Sequence, residues 1–193
     1  MRNLIMMIML LFFVFSPLLN GQTSFIPDST VNSIMVLRNI HSVENFSQST
    51  LDVLPINEFD TSFFKEEQPF VLFVNYSQTE YLMAIIHEGT FKYWFSEFKI
   101  GYLCFECLIN SKIQYVQTSY PSFYTESGLK LGVDTVDVVY QKGRPKYIGK
   151  NEILYCFNSN SSELDDSDVC EYFLKCTICK DKVTKIEYGY VLW

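Results

Sequence analysis

Six cysteines, Cys104, Cys107, Cys156, Cys170, Cys176 and Cys179, are the residues of this chain best suited to chemistry, and all lie in its second half. Four of them form two Cys-x-x-Cys pairs, Cys104-Phe-Glu-Cys107 and Cys176-Thr-Ile-Cys179. Four thiolates in two such pairs can make a tetrahedral zinc set, although neither pair contains the Gly or Pro that shapes a zinc knuckle. The same spacing serves thiol–disulfide exchange where the nucleophilic sulfur starts a helix and the dipole lowers its pKa. Both pairs, however, read as lying on or beside strands. An even count in an exported chain points instead to structural disulfides. Residues three apart on a strand face opposite ways. Bridges are therefore expected across the halves, one of Cys104 and Cys107 with each of Cys176 and Cys179. A hairpin loop centred on Glu163 would set Cys156 opposite Cys170, at the separation a bridge needs.

The remaining candidates are sparse. His41 and His87 are the only neutral-pH bases, and neither stands in a motif with a nucleophile. Asp165, Asp166 and Asp168 crowd one loop but lack the central Gly and distal Glu of a calcium loop, so a solvated hairpin tip is expected. No phosphate-cradling Gly-rich segment occurs. Asn45, Asn75 and Asn160 each begin an Asn-x-Ser triplet, which matters only in a eukaryotic secretory pathway. The expectation is a protein without catalytic residues, cofactor or metal.

These residues are carried by strand-forming segments. Phe70-Val71-Leu72-Phe73-Val74 after Pro69, Tyr81 to Ile86, and Phe91 to Leu103 read as a meander of three strands. Ile113 to Val116 reads as a short edge strand. In the second half, Ile153 to Phe157, Val169 to Cys179 and Val183 to Leu192 read as three more. Between the two sets, Asp134 suits an N-cap, Asp137 complements the dipole, and Val136, Val139 and Tyr140 fall on one face of a short helix. Gly143 suits its left-handed end and Pro145 stops it. Val31 to Phe46 fits a helix loosely and an extended segment equally.

The first 21 residues set the compartment. Met1-Arg2-Asn3 is basic, Leu4 to Phe15 is unbroken apolar chain, and Leu19-Asn20-Gly21 offers a small residue at a cut before Gln22. That is the build of a secretory signal peptide, and the apolar run is too short for a span. Cleavage would leave 172 residues with a net charge of −8 in place of −7. An acidic protein repels nucleic acid. With no basic patch for anionic lipid and no cysteine near the cut to carry a lipid, no membrane contact is expected after cleavage.

The run Gly128-Leu-Lys-Leu-Gly-Val-Asp-Thr-Val-Asp-Val-Val-Tyr-Gln-Lys-Gly-Arg-Pro145, with a strand after it, resembles modules of the small-protein-A/BamE family of outer-membrane assembly lipoproteins and of β-lactamase inhibitor proteins. The positions that match are Leu131, Gly132, Val136, Gly143 and Pro145. The resemblance implies a Gly-led short helix ending in Gly-x-Pro and packed on an antiparallel sheet, carried twice in the inhibitors. It lies in the C-terminal half, includes no lipidated cysteine, and matches no inhibitory loop. Within the chain, Leu37 with His41-Ser-Val-Glu44 parallels Leu131 with Asp134-Thr-Val-Asp137, and Phe98 to Tyr102 parallels Ile186 to Tyr190. The resulting expectation is an α+β fold of short helices packed on antiparallel sheet, arranged as a degenerate tandem repeat. Residues 1–21 would be the signal peptide, 22–120 a β-rich first half, and 121–193 a helix-plus-three-strand second half. The expected role is binding of another envelope or secreted protein, in the periplasm or outside the cell. A cysteine-based thiol–disulfide oxidoreductase and a secreted protease or β-lactamase inhibitor are the alternatives.

Overall fold

The computed structural model describes residues 27–28, 30–32, 34–35, 54–58, 60, 63–86, 95–157 and 171–190. Apolar and β-branched runs become strands, covered on both faces in the first half of the sheet and on one face in the second. β4 (Phe70–Val74) is buried at every position, β5 (Glu80–Ile86) along its second half, and β6 (Phe95–Tyr102) on alternate residues. Together they form an antiparallel meander. β9 (Glu152–Phe157), β10 (Tyr172–Cys179) and β11 (Lys182–Tyr190) form a second one. The turn into β11 is tight because Lys180 and Asp181 both take positive φ, 50° and 60°, as a two-residue hairpin of matching twist requires. Short strands finish the edges: β3 (Ile56–Asn57) beside β4, and β8 (Tyr147–Ile148) beside β9. β7 (Val116–Gln117) adds to β4 in parallel. β1 (Thr30–Val31) and β2 (Ile34–Met35) pair with each other as a separate ribbon, and Val31 also bridges Thr125.

The two meanders join at their last strands. β6 lies antiparallel to β11, giving one nine-stranded sheet in the order β3-β4-β5-β6-β11-β10-β9-β8, with β7 on β4. Lys99 lies opposite Glu187, flanked by Phe98 opposite Tyr188 and Ile100 opposite Ile186, so the pairing is symmetric about that central pair. Each meander also sets an aromatic residue opposite a glycine, Tyr81 on Gly101 and Phe173 on Gly189. The glycines are required by space. A Cβ at Gly101 would come 2.7 Å from the Tyr81 ring, and one at Gly189 would strike the β6 backbone at Ser96 and Glu97.

One face of the whole sheet builds the main core: Val71, Phe73, Leu82, Ala84, Phe98 and Ile100 from the first meander, and Ile153, Tyr155, Leu174, Cys176, Ile186 and Tyr188 from the second. Its cover is mostly irregular chain, with Val31, Phe123, Leu129 and Leu131 buried against it. On the other face, the first meander alone has a second core of Phe70, Leu72, Val74, Met83 and Ile85. A helix of five residues, α1 (Phe105–Ile109), closes it with Leu108.

The α+β expectation is overturned. The fold is mostly antiparallel sheet, 48% strand against 11% helix, with two helices among the described residues. The physical reason lies in what packs on the sheet. Thr30–Val31 and Ile34–Met35, where a first-repeat helix could start, are short strands, and α1 is little more than one turn. The longer helix, α2 (Thr135–Lys142), buries only Val138 and Lys142. Segment 121–193 holds α2 followed by four strands, β8 to β11, where three were expected.

Candidate functional site

The sequence places Asp134, Gly143 and Pro145 at the helix ends, and the structure shows how α2 is held. Asp134 stands at the N-cap in extended backbone, yet its side chain makes no capping hydrogen bond. Its carboxylate accepts from Lys182 Nζ at 2.8 Å across the surface. The helix start is tied instead to the β10–β11 turn. Thr135 donates from its amide and its hydroxyl to the Asp181 carbonyl, at 3.0 and 3.1 Å. At the other end, Gly143 takes φ 77° and ψ −155°, a region open to glycine and hardly to any other residue. This is a positive-φ stop, with ψ far from that of the left-handed helix. Pro145 follows it outside the helix.

Val136, Val139 and Tyr140, which share one face by sequence, do not pack inward together. Val139 is partly buried, whereas Val136 is 76% and Tyr140 87% exposed. One helical turn separates these two, so they form a single ridge. Beside it, Asp134, Thr135, Val136, Asp137 and Asp181 line an open groove of about 480 Å³. Three of the five residues lining that groove, Asp134, Asp137 and Asp181, are acidic.

The inward face explains the orientation. Lys142 is 2% exposed, and its Nζ lies 2.5 Å from the equally buried Asp28 carboxylate. Asp28 also accepts from the Ser127 amide and hydroxyl at 3.1 and 3.0 Å, and its carbonyl accepts from the Tyr172 hydroxyl. A buried ammonium must be paired, so this ion pair rotates α2 and leaves Val136 and Tyr140 outside. Residue composition around α2 carries no sign of this, because the partner comes from the far N-terminal segment.

Among the cysteines, Cys104 and Cys107 are bonded to each other, with Cα atoms 5.3 Å apart. The expected cross-half bridges are absent: Cys176 and Cys179 are free, the first buried and the second exposed. The strand argument failed because Cys104 and Cys107 lie on a helical turn, where residues three apart share a face. Four thiolates for zinc are therefore not present. Among the described residues, no three His, Cys, Asp or Glu side chains gather as metal ligands. Burial pushes the Cys176 thiol up to about 12, which makes it a poor nucleophile. Cys156 is also in a disulfide. Its strand pairs in a different register from the expected one, with Cys156 opposite Phe173 and the ladder ending at Phe157 and Tyr172. Cys170 lies outside the described residues, as do His41, His87, the Asp165–Asp168 loop, Asn45, Asn160 and residues 1–21.

Asn75 is fully buried, with its amide donating to Pro121 O at 2.8 Å and its carbonyl accepting from the Thr79 and Glu80 amides at 2.9 Å. It shapes the β4–β5 turn and cannot carry a glycan in the folded protein. At the sheet centre, Lys99 Nζ lies 2.6 Å from Glu66 and 3.7 Å from Glu97, while Lys185 and Glu187 pair at 2.6 Å. Burial pushes Glu97 up to about 6 despite Lys99, with Glu187 and Glu66 adding to the rise. These pairs lie within β6, within β11 and between β6 and Glu66, while Lys99 stands opposite Glu187 in the β6–β11 register.

Comparison of the chain with protein-family models, with curated proteins and with solved structures gives no match. Among the described residues, no helix is long and apolar enough to cross a membrane.

Proposed function

We propose that this is an exported, non-catalytic binding protein whose docking element is the outer ridge of α2. The exposure of Val136 and Tyr140 on one ridge carries the reading. A helix this short has apolar residues to spare for the core, yet an ion pair inside turns these two to solvent. The partner is an envelope or secreted protein that offers an apolar socket ringed by Lys or Arg. The acidic groove at the ridge and the net charge of the mature chain both favour basic surroundings. The signal-peptide pattern of residues 1–21 and the resemblance to envelope assembly and inhibitor modules support the same compartment and the same kind of role.

The test compares two surface variants in the cell that makes the protein. Val136→Asp/Tyr140→Asp should lose the co-purifying partner while keeping the parental melting temperature. Ile109→Asp, also at an exposed apolar position but on α1, should retain it. Equal retention by both variants would remove α2 from the account.

A further inference from the structure

The Cys104–Cys107 bond lies in a setting unlike that of a buried structural disulfide. Both cysteines are exposed. Cys104 is the N-cap of α1, Cys107 lies within the helix, and their bond closes the first turn. α1 has five residues, fewer than a helix needs to persist unaided. Inside, Leu108 is 1% exposed in the second core and the Phe105 ring stacks edge-on against Tyr115 at 5.8 Å. One backbone bond, Leu108 N–H to the Cys104 carbonyl at 3.1 Å, spans the turn. Ser111 closes the far end by donating to the Leu108 carbonyl. The helix is thus a small cover over Phe70, Leu72 and Val74, held at one end by a bond that solvent reaches.

From this geometry we infer that Cys104–Cys107 is a reducible latch: an external dithiol opens it and loosens α1 from the second core while the sheet stays folded. An attacking thiolate of the dithiol bonds to the sulfur of one cysteine, and the other leaves as a thiolate that takes up a proton. The second thiol of the reductant then displaces the first cysteine. The reductant leaves as a disulfide, and the protein gains two electrons and two protons as a pair of thiols. Exposed disulfides are those open to such exchange. With only two residues between the cysteines, the bond restricts the unfolded chain less than a long-loop bridge does, so its loss is local. The Cys176–Cys179 pair cannot substitute, because Cys176 is buried and Cys179 stands on a strand end.

The test uses the mature chain without denaturant. Exposed Cys179 is first blocked with iodoacetamide. Graded dithiothreitol followed by N-ethylmaleimide then reports which sulfurs open. Two maleimides should appear on Cys104 and Cys107 at reductant concentrations that leave Cys156 unlabelled. In the reduced, unlabelled protein, hydrogen exchange at Leu108 and Ser111 should rise at least about tenfold, with β5 and β6 amides unchanged. Cys104→Ser/Cys107→Ser should exchange as the reduced protein does and ignore dithiothreitol. The inference is overturned if α1 exchanges no faster after reduction, if the bond opens only together with Cys156, or if the double variant fails to fold.

Discussion

Removing the ammonium from the Asp28–Lys142 pair is the sharpest perturbation this fold offers. Both side chains are 2% exposed and the charges are 2.5 Å apart. In Lys142→Met the aliphatic volume is kept, while the Asp28 carboxylate is left with the two Ser127 donors alone. Breaking a buried pair in this way costs roughly 3–5 kcal/mol. Each kcal/mol moves the melting temperature by roughly 2–4 °C in a chain of this size, so a fall of roughly 6–20 °C is expected. The pair also tethers the N-terminal segment, since Val31 enters the main core three residues beyond Asp28. The double variant Asp28→Leu/Lys142→Met removes both charges and should recover most of the loss. Urea unfolding of the mature protein, followed by tryptophan fluorescence and by circular dichroism, measures all three. A loss below about 1 kcal/mol for Lys142→Met, or a double variant no better than the single, would refute the reasoning, because an unpaired buried carboxylate cannot be that cheap.

The central charge cluster predicts a pH dependence. Glu97, raised to about 6 when folded, binds its proton more tightly in the native state than in the unfolded one, so its contribution to stability falls as pH rises from about 4.5 to about 6. Glu97→Gln should therefore gain on the parent by up to about 2 kcal/mol at pH 7 and lose that gain near pH 4; urea midpoints at both pH values check it, and a constant difference contradicts it. Asp134→Ala, which removes only a half-exposed ion pair, should cost less than about 1 kcal/mol. Gly143→Val, forced into positive φ, should cost roughly 1–3 kcal/mol, and thermal melts showing the reverse order would disprove this account of the helix ends. Non-reducing peptide mapping should link Cys156 to Cys170, a closure worth roughly 3 kcal/mol on the chain-entropy model, and a Cys156 peptide joined to Cys104, Cys107, Cys176 or Cys179 counts against it.

The strands were readable because their signal is local. Phe70-Val71-Leu72-Phe73-Val74 and Ile153-Leu154-Tyr155-Cys156-Phe157 announce themselves by β-branched and aromatic content, and turn residues bound them. What joins the strands is not local. The β9–β10 register cannot be read from a loop of uncertain centre; it is chosen by matching Ile153 and Tyr155 with Leu174 and Cys176 on the core face. α1 escaped notice because Phe105 to Ile109 is too short to show a helical period and depends on the second core and on its bridge. The outer ridge of α2 was misread for the same kind of reason. Val136 and Tyr140 look like a core face until Asp28, from the other end of the chain, claims Lys142. Apolar spacing reports that a helix has a face to bury, but a buried charge can decide which face that is.

The central claim, that the α2 ridge holds a protein partner, is tested most directly by photo-crosslinking from position 140 in the cell that makes the protein. A benzophenone side chain at Tyr140 should give one dominant adduct with a basic exported protein, absent when the probe sits at Ile109 on α1. A probe at position 140 that captures nothing, or the same products from both positions, would contradict the account.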